Sequence, residues 1–317
     1  MEDHSRDRCE VNWLVETPSA DPLRGTVRWD PTHSIWNGGM LVVAIVVCPL
    51  TFSIANLLVF AILTGAALLL GHSVGFHRLL IHRSFRTPLA LERFLVWWGT
   101  IAGMSGPHWI IRTHDLRDWA QRQQSCHDYL AHRRPMLQDA WWQLHCRLEL
   151  KNPPGFDLGV VGRDRVYLFL ERSWMLQQLP VAGLLWLAGG WGMVAWGVCA
   201  RVAITVHGHW FVGHLAHRRG PQTWLVDEAG VQAHDVPWAG LPTMGEAWHN
   251  NHHAYPGSAR IGLYPGQSDW GYAFIRVLQK LSLAWDICLP RDLPNRHASL
   301  SPATTLDAAL QPCENPL

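Results

Sequence analysis

Residues 31–77, PTHSIWNGGMLVVAIVVCPLTFSIANLLVFAILTGAALLLGHSVGFH, run for 47 positions without Asp, Glu, Lys or Arg. A helix needs about 20 mostly apolar residues to cross a bilayer, so this run can hold two crossings and a tight turn. Spanning helices are predicted near 36–55 and 56–75, with Pro49 able to kink the first. A second run, 173–217, is interrupted only by Arg201. Its GGWG at 189–192 is a turn signal, which predicts helices near 174–190 and 191–211. A third uncharged run, 94–111, is 18 residues long. A crossing there would strand His114 across the membrane from His77 and His82, so it is read as interfacial or re-entrant.

Composition agrees. Of 317 residues, 48% are hydrophobic and only 16% charged, below the roughly 25% charge of soluble domains. A formal net charge of +1 offers no basic face and excludes a nucleic-acid partner. Arginines crowd the segment after the first hairpin (Arg78, Arg83, Arg86, Arg112, Arg117, Arg122, Arg133, Arg134, Arg147). Positive charge marks the cytoplasmic side, so both termini and the histidines are expected there. The expectation is an all-α, multi-pass integral membrane protein of a bacterial inner or ER-type membrane. Four transmembrane helices form two hairpins under a cytoplasmic helical cap. Residues 1–30 read as a polar cytoplasmic tail, 31–290 as the membrane domain, and 291–317 as a C-terminal tail. The seven cysteines, Cys9, Cys48, Cys126, Cys146, Cys199, Cys288 and Cys313, show no CxxC and are expected as reduced thiols.

Histidine carries the chemistry. Sixteen of the 19 lie between His72 and His253, gathered at the ends of the apolar runs. Imidazole is the common nitrogen ligand of iron, copper and zinc. His249, His252 and His253, at i, i+3 and i+4, project from one face of a helix. His77 and His82, five apart, fall on different sides of an ideal helix, so they serve two metals or one distorted helix end. A metal transporter would place its ligands inside the spans, and these lie at the ends. A soluble zinc hydrolase would carry HExxH, which is absent.

GHSVGFHRLLIHRSF (71–85) and GEAWHNNHHAYPGSAR (245–260) resemble the first and last histidine boxes of the membrane fatty acid desaturases. The Δ9-type acyl-CoA branch, with HxxxxH, HxxHH and GExxHNxHH, is the most similar. The resemblance covers roughly residues 36 to 290. It implies a cytosolic centre of two non-haem iron ions held by histidines. It also implies O2, an acyl-CoA or acyl-lipid substrate that gains a double bond, and a separate ferredoxin or cytochrome b5 donor with its reductase. The ligands it implies are His77, His82, His114, His217, His249, His252 and His253, with Glu246 orienting a neighbouring ligand.

Two elements depart from the family pattern. The middle box reads HDLRD (114–118), with Arg117 and Asp118 where the family has histidines. A guanidinium stays protonated and cannot ligate; Asp118, i+4 from His114, can. The family's Asn-x-x-x-His, ending at His217, has Gly213 for its asparagine. His209, one turn earlier, is the candidate replacement, ahead of His207 and His214. His127 and His234 are candidates for positions behind the ligands. Arg112 matches an arginine that meets the CoA headgroup, and Trp97, Trp98, Trp174, Trp186 and Trp210 are candidates to line an acyl tunnel. The altered ligand set keeps open a membrane di-iron hydroxylase or ketolase acting on a lipid or terpenoid.

Overall fold

The computed structural model describes residues 9, 11–294 and 297–300, and the protein is mostly helical. Helix α1 (Pro31–Leu50) starts earlier than expected because Asp30 caps it: its carboxylate accepts from the Thr32 and His33 amides at 3.1 and 3.2 Å. Proline in the first turn costs no hydrogen bond there. After residues 51–53 comes α2 (Ile54–Ile81), capped by Ser53 Oγ accepting from the Asn56 amide at 3.1 Å. There follow α3 (Leu89–Ile101), α4 (Pro107–Arg122), α5 (Met136–His145), α6 (Gly159–Arg163) and α7 (Arg165–Ser173). The long α8 (Gln178–Ala216), the short α9 (His249–Ala254) and α10 (Trp270–Lys280) complete the helices. Antiparallel ribbons join β1 (Leu14–Val15) to β4 (Gly155–Phe156), β2 (Gly25–Trp29) to β3 (Cys146–Leu150), and β5 (Trp224–Val226) to β6 (His297–Ser299).

Three helices, α1, α2 and α8, are long and apolar enough to cross a membrane, at 20, 28 and 39 residues. They expose Val42, Ile45, Ile54, Leu58, Ile62 and Leu187, a surface for lipid rather than water. Gly189 and Gly190 leave helical geometry inside α8, the second at φ +71°, where glycine has no steric penalty. The break falls on the GGWG signal. A Cβ on Gly192 would stand 2.8 Å from Asn56 Nδ2, so the α8 break lies beside the α1–α2 turn. The histidine-bearing ends of α2 and α8 lie away from it.

The uncharged run 94–111 is no single spanning helix. It holds the end of α3, a turn at 102–106 and the start of α4. Irregular backbone beside spans persists only where protein satisfies its polar groups, and here it does. The Ile101 carbonyl accepts from Arg201 and, at 3.0 Å, from Gln178. The Ala102 carbonyl accepts from Thr205 Oγ1 at 2.7 Å, and the Gly103 carbonyl from Trp36 Nε1 at 2.9 Å. Arg201, the one charge in the second apolar run, is fully buried by this duty.

Two expectations need correction. Residues 11–30 are no loose tail: β1 and β2 pair into the fold, and buried Trp13 donates from Nε1 to the Ile81 carbonyl at 2.7 Å. Nor are all cysteines reduced, for Cys9 and Cys288 form a disulfide across 279 residues of sequence. A separation that large leaves no trace in spacing. Cys48, Cys126, Cys146 and Cys199 are free, and Cys313 lies outside the described residues.

The core that backs the site surrounds the second half of α2. Phe76 and Leu80 pack with Val96 and Ile111, while Val74 and Leu79 pack with Leu95, Ile275 and Leu278. Helix α3 lies backbone to backbone on α2: a Cβ on Gly71 would stand 2.4 Å from the Trp98 carbonyl oxygen, and one on Gly75 2.3 Å from that of Leu95. Gly75→Ala should therefore destabilise the detergent-purified protein by about 1–3 kcal/mol, a melting temperature lower by several degrees. Gly39→Ala, whose new methyl meets nothing within 4 Å, should leave it unchanged or raised. Equal melting temperatures for the two variants would contradict this packing.

Candidate metal centre

The second half of α2, Ala67–Ile81, is wound as a π-helix. Its i→i+5 bonds, such as the His82 amide to the His77 carbonyl at 3.1 Å, bring every fifth residue round to one side. His72, His77 and His82 thus share a face, with ring centroids 6.3 and 4.9 Å apart. The five-residue spacing, awkward on an α-helix, becomes a row of imidazoles. His114 on α4 and His252 on α9 close on that row: His77–His252 is 4.5 Å, His82–His114 4.8 Å and His82–His252 4.9 Å between centroids. One ligand atom from each of His77, His82, His114 and His252 lies within 4.8 Å of all the others.

A second group, His217, His249 and His253, stands beside the first. The His249 Nε2 atom is 3.3 Å from His217 Nε2 and 3.1 Å from His253 Nε2. Ligand atoms each about 2.0–2.1 Å from one ion stand about 3.0–3.4 Å apart, so this spacing fits a shared ion. His217 gives its Nδ1 to the Gly213 carbonyl at 2.8 Å, which leaves Nε2 as the lone-pair nitrogen.

The sequence HNNHH works as two faces. The histidines of α9 point to the centre, and the asparagines bolt the helix down from behind. Asn250 Oδ1 accepts from the Thr223 and Trp224 amides at 2.8 Å each, and its Nδ2 donates to the Trp224 and Ala233 carbonyls. Asn251 accepts from Trp224 Nε1 at 3.0 Å and donates to the Ile261 carbonyl at 2.9 Å. Glu246, expected to orient a ligand, has Oε2 2.5 Å from His77 Nδ1. Its other oxygen accepts from Ser73 Oγ at 2.6 Å and from Arg78, which also donates to Asp269 at 2.8 Å.

Electrostatics suit metal ligation. Burial holds His82, His249 and His252 well below the ordinary imidazole pKa, with neighbouring histidines adding to it, so all three are neutral with lone pairs available. Burial opposes ionisation of Glu246, but Arg78 and His77 outweigh it and keep the carboxylate charged. Buried His82 Nε2, His252 Nδ1 and His252 Nε2 have no hydrogen-bond partner. Orphaned buried polar atoms are costly, and a bound cation would satisfy one nitrogen of each ring.

Other predicted residues are placed apart. Asp118 sits 3.8 Å from His114 Nδ1; burial disfavours its charge, but His114, His253 and Arg122 outweigh that and hold it below the usual carboxylate range. His209 belongs to neither group and meets His72, with centroids 4.7 Å apart. His127 Nδ1 accepts from the Tyr129 amide in a local turn, His234 turns to the Gly220 carbonyl, and His207 to that of Ala203. Arg112 is exposed on α4. The tryptophans do not line one channel together: Trp97 donates to Gln177 and meets Trp98 edge-on, Trp174 stacks on His33, Trp186 meets Trp191, and Trp210 donates to Asp139.

Arg117 is not idle. It donates to His132 Nε2 at 2.5 Å and to Gln143 Oε1 at 2.7 Å. His132 and His214 each place Nδ1 2.8 Å from Asp139 Oδ2, to which Trp210 also donates at 2.9 Å. With three donors on one oxygen this trio is a saturated hydrogen-bond network rather than an open ligand set. His132 stacks on His217 at 5.2 Å, so the network backs the second group. Sequence reading missed it; its signal was Asp139 and Gln143 at i, i+4, one polar stripe on α5.

No family model matches the chain. It is 35% identical over 228 residues to the sn-1 stearoyl-lipid 9-desaturase of Anabaena variabilis, covering 69% of this chain and 79% of that one. It is 30% identical over 281 residues to the acyl-CoA C20 Δ5-desaturase of Anemone leveillei, covering 86% and 87%. The sn-2 palmitoyl-lipid 9-desaturase of Nostoc sp. (strain 36) is 32% identical over 222 residues, covering 68% and 75%.

Burial, and after it Arg117, lowers His132 to about 4; burial likewise lowers His253 to about 4, against an ordinary 6.5. Between these values the unfolded chain binds more protons than the folded one, so stability falls as pH drops from 6.5 towards 4. Each such histidine removes about 1.4 kcal/mol per pH unit in that window. Melting curves of metal-free protein in detergent should slide to lower temperature across it, and a flat profile from pH 7 to 4.5 would contradict neutral burial.

Proposed function

Because the chain belongs to the fatty acid desaturase family, we propose that it is an oxidoreductase that introduces a double bond into a long-chain acyl group, carried by CoA or a lipid, in the Δ9 manner. Two of the similar proteins named above are 9-desaturases, which supports the Δ9 position. The observation that carries the reading is the convergence of His77, His82, His114 and His252 beside His217, His249 and His253, with buried nitrogens left unpartnered. These are the residues proposed to hold two non-haem iron ions. Imidazole donors suit iron, and bound iron with O2 supplies the oxidising power, absent from side chains, to remove two hydrogens from an unactivated CH2–CH2 pair. Two electrons come from a separate ferredoxin or cytochrome b5 type donor.

The chain's own residues set up that chemistry. Glu246, itself held by Arg78 and Ser73, fixes His77 so that Nε2 faces the centre. The Gly213 carbonyl does the same for His217. Asp118 stands against His114, a partner that raises its basicity. Arg112, exposed on α4, is proposed to meet the acyl carrier's anionic headgroup. The break at Gly189 and Gly190 supports four crossings in two hairpins, and the arginine-rich segment after α2 supports a cytoplasmic active site with both termini on that side.

Expression in a host with oxygen and a working donor should add a double bond to its lipids, located by mass spectrometry. Protein purified in mild detergent should carry close to two irons per chain. An unchanged lipid profile would refute the reading, and His252→Ala should abolish the new product. Glu246→Gln should weaken metal retention by about 10–100-fold, measured as iron content after dialysis against graded chelator.

A further inference from the structure

We infer that the two histidine groups are unequal metal positions: the four-histidine position holds its ion firmly, and the three-histidine position holds one loosely and stays open to a small exogenous ligand. This deepens the metal-centre reading and rests on it.

The inequality comes from where α4 and α8 send their side chains. His114, the α4 imidazole at the centre, joins the first group. Asp118 pairs with that same His114 at 3.8 Å, and Arg117 is turned into His132 and Gln143. Helix α4 therefore gives no imidazole to the second group; Asp118 stands between His114 and His253 as a charge beside both groups. On α8, His217 is a member, but one turn before it stands Gly213, and a Cβ built there meets nothing within 4 Å. The second position thus has three nitrogens and an empty space on the His217 side. Three nitrogens would leave more coordination sites of a bound ion unfilled than four imidazoles would.

Access differs in the same direction. His77, His82 and His252 are buried, and the members of the second group are all part-exposed. A surface pocket of about 350 Å³ has His253 in its wall, beside Arg122, Val226 and Pro256. Water, a chelator or a small ligand reaches the second position by this route. The same wall carries Asp227 and Glu228 beside Arg122, so its charges are of both signs and a small ligand of either sign can enter.

The test uses the full chain in detergent, loaded with two equivalents of Co(II) as a spectroscopic stand-in for Fe(II). On dialysis against graded chelator, one ion per chain should leave at concentrations about tenfold or more below those that remove the other. Azide should alter the visible spectrum of the loosely held ion alone. His217→Ala should abolish the loose ion and keep the firm one. Gly213→Asn, which places an oxygen donor in the empty space, should shift release of the loose ion towards that of the firm one. That gain cannot come from misfolding. Simultaneous release of both ions, or loss of both in His217→Ala, would overturn the inequality while leaving the metal centre intact. A chain that retains no Co(II) would overturn both.

Discussion

The winding of one helix segment governs this site. Seven imidazoles from four helices can meet only if their carriers present them at matched angles, and α2 does so by changing its pitch. In its first half α2 is an ordinary apolar rod. From Ala67 the bonds lengthen to i→i+5, and the three histidines at five-residue intervals come into line. The altered pitch also exposes Gly71 and Gly75 to α3, whose backbone lies against them. Wide winding, close packing of α3 and convergence of the imidazoles are one geometric event.

Burial then sets the chemistry. Imidazoles packed together in a low-dielectric site cannot all be protonated, and desolvation keeps His82, His249 and His252 neutral. The fixed charges are few and assigned. Glu246 is shared by His77, Arg78 and Ser73, while Asp139 takes three N–H donors on one oxygen. Arg117, a cation at a position where the family has a ligand, is withdrawn into that second network. Arg117 thus contributes hydrogen bonds behind the second histidine group rather than a ligand within it.

Much of this was legible in the sequence. The charge-free run 31–77 announced α1 and α2, and GGWG located the break in α8. The spacing of His249, His252 and His253 gave one helical face. What stayed hidden was whatever depends on a partner distant in sequence. The i, i+5 histidines looked discordant because nothing in HRLLIH signals a change of pitch. Asp139 and Gln143 marked a polar stripe on α5, but nothing local named its partners, His132, Arg117 and His214. The N-terminal segment, polar and mixed in charge, looked like a tail until Trp13 was found against the Ile81 carbonyl. The disulfide joined residues that no local pattern connects.

That N-terminal docking has a consequence for the order of assembly. Residue 9 and residues 11–30 are made before their partners, which lie at 81, 146–156 and 288. They must wait, undocked, while the apolar helices are made and inserted. The seven histidines run from His77 to His253, so neither group is complete until residue 252 has been made. Long-range closure of this kind is slow, because the loop entropy is lost before the contacts that offset it form. The convergence of the two histidine groups is accordingly among the last features of the molecule to form.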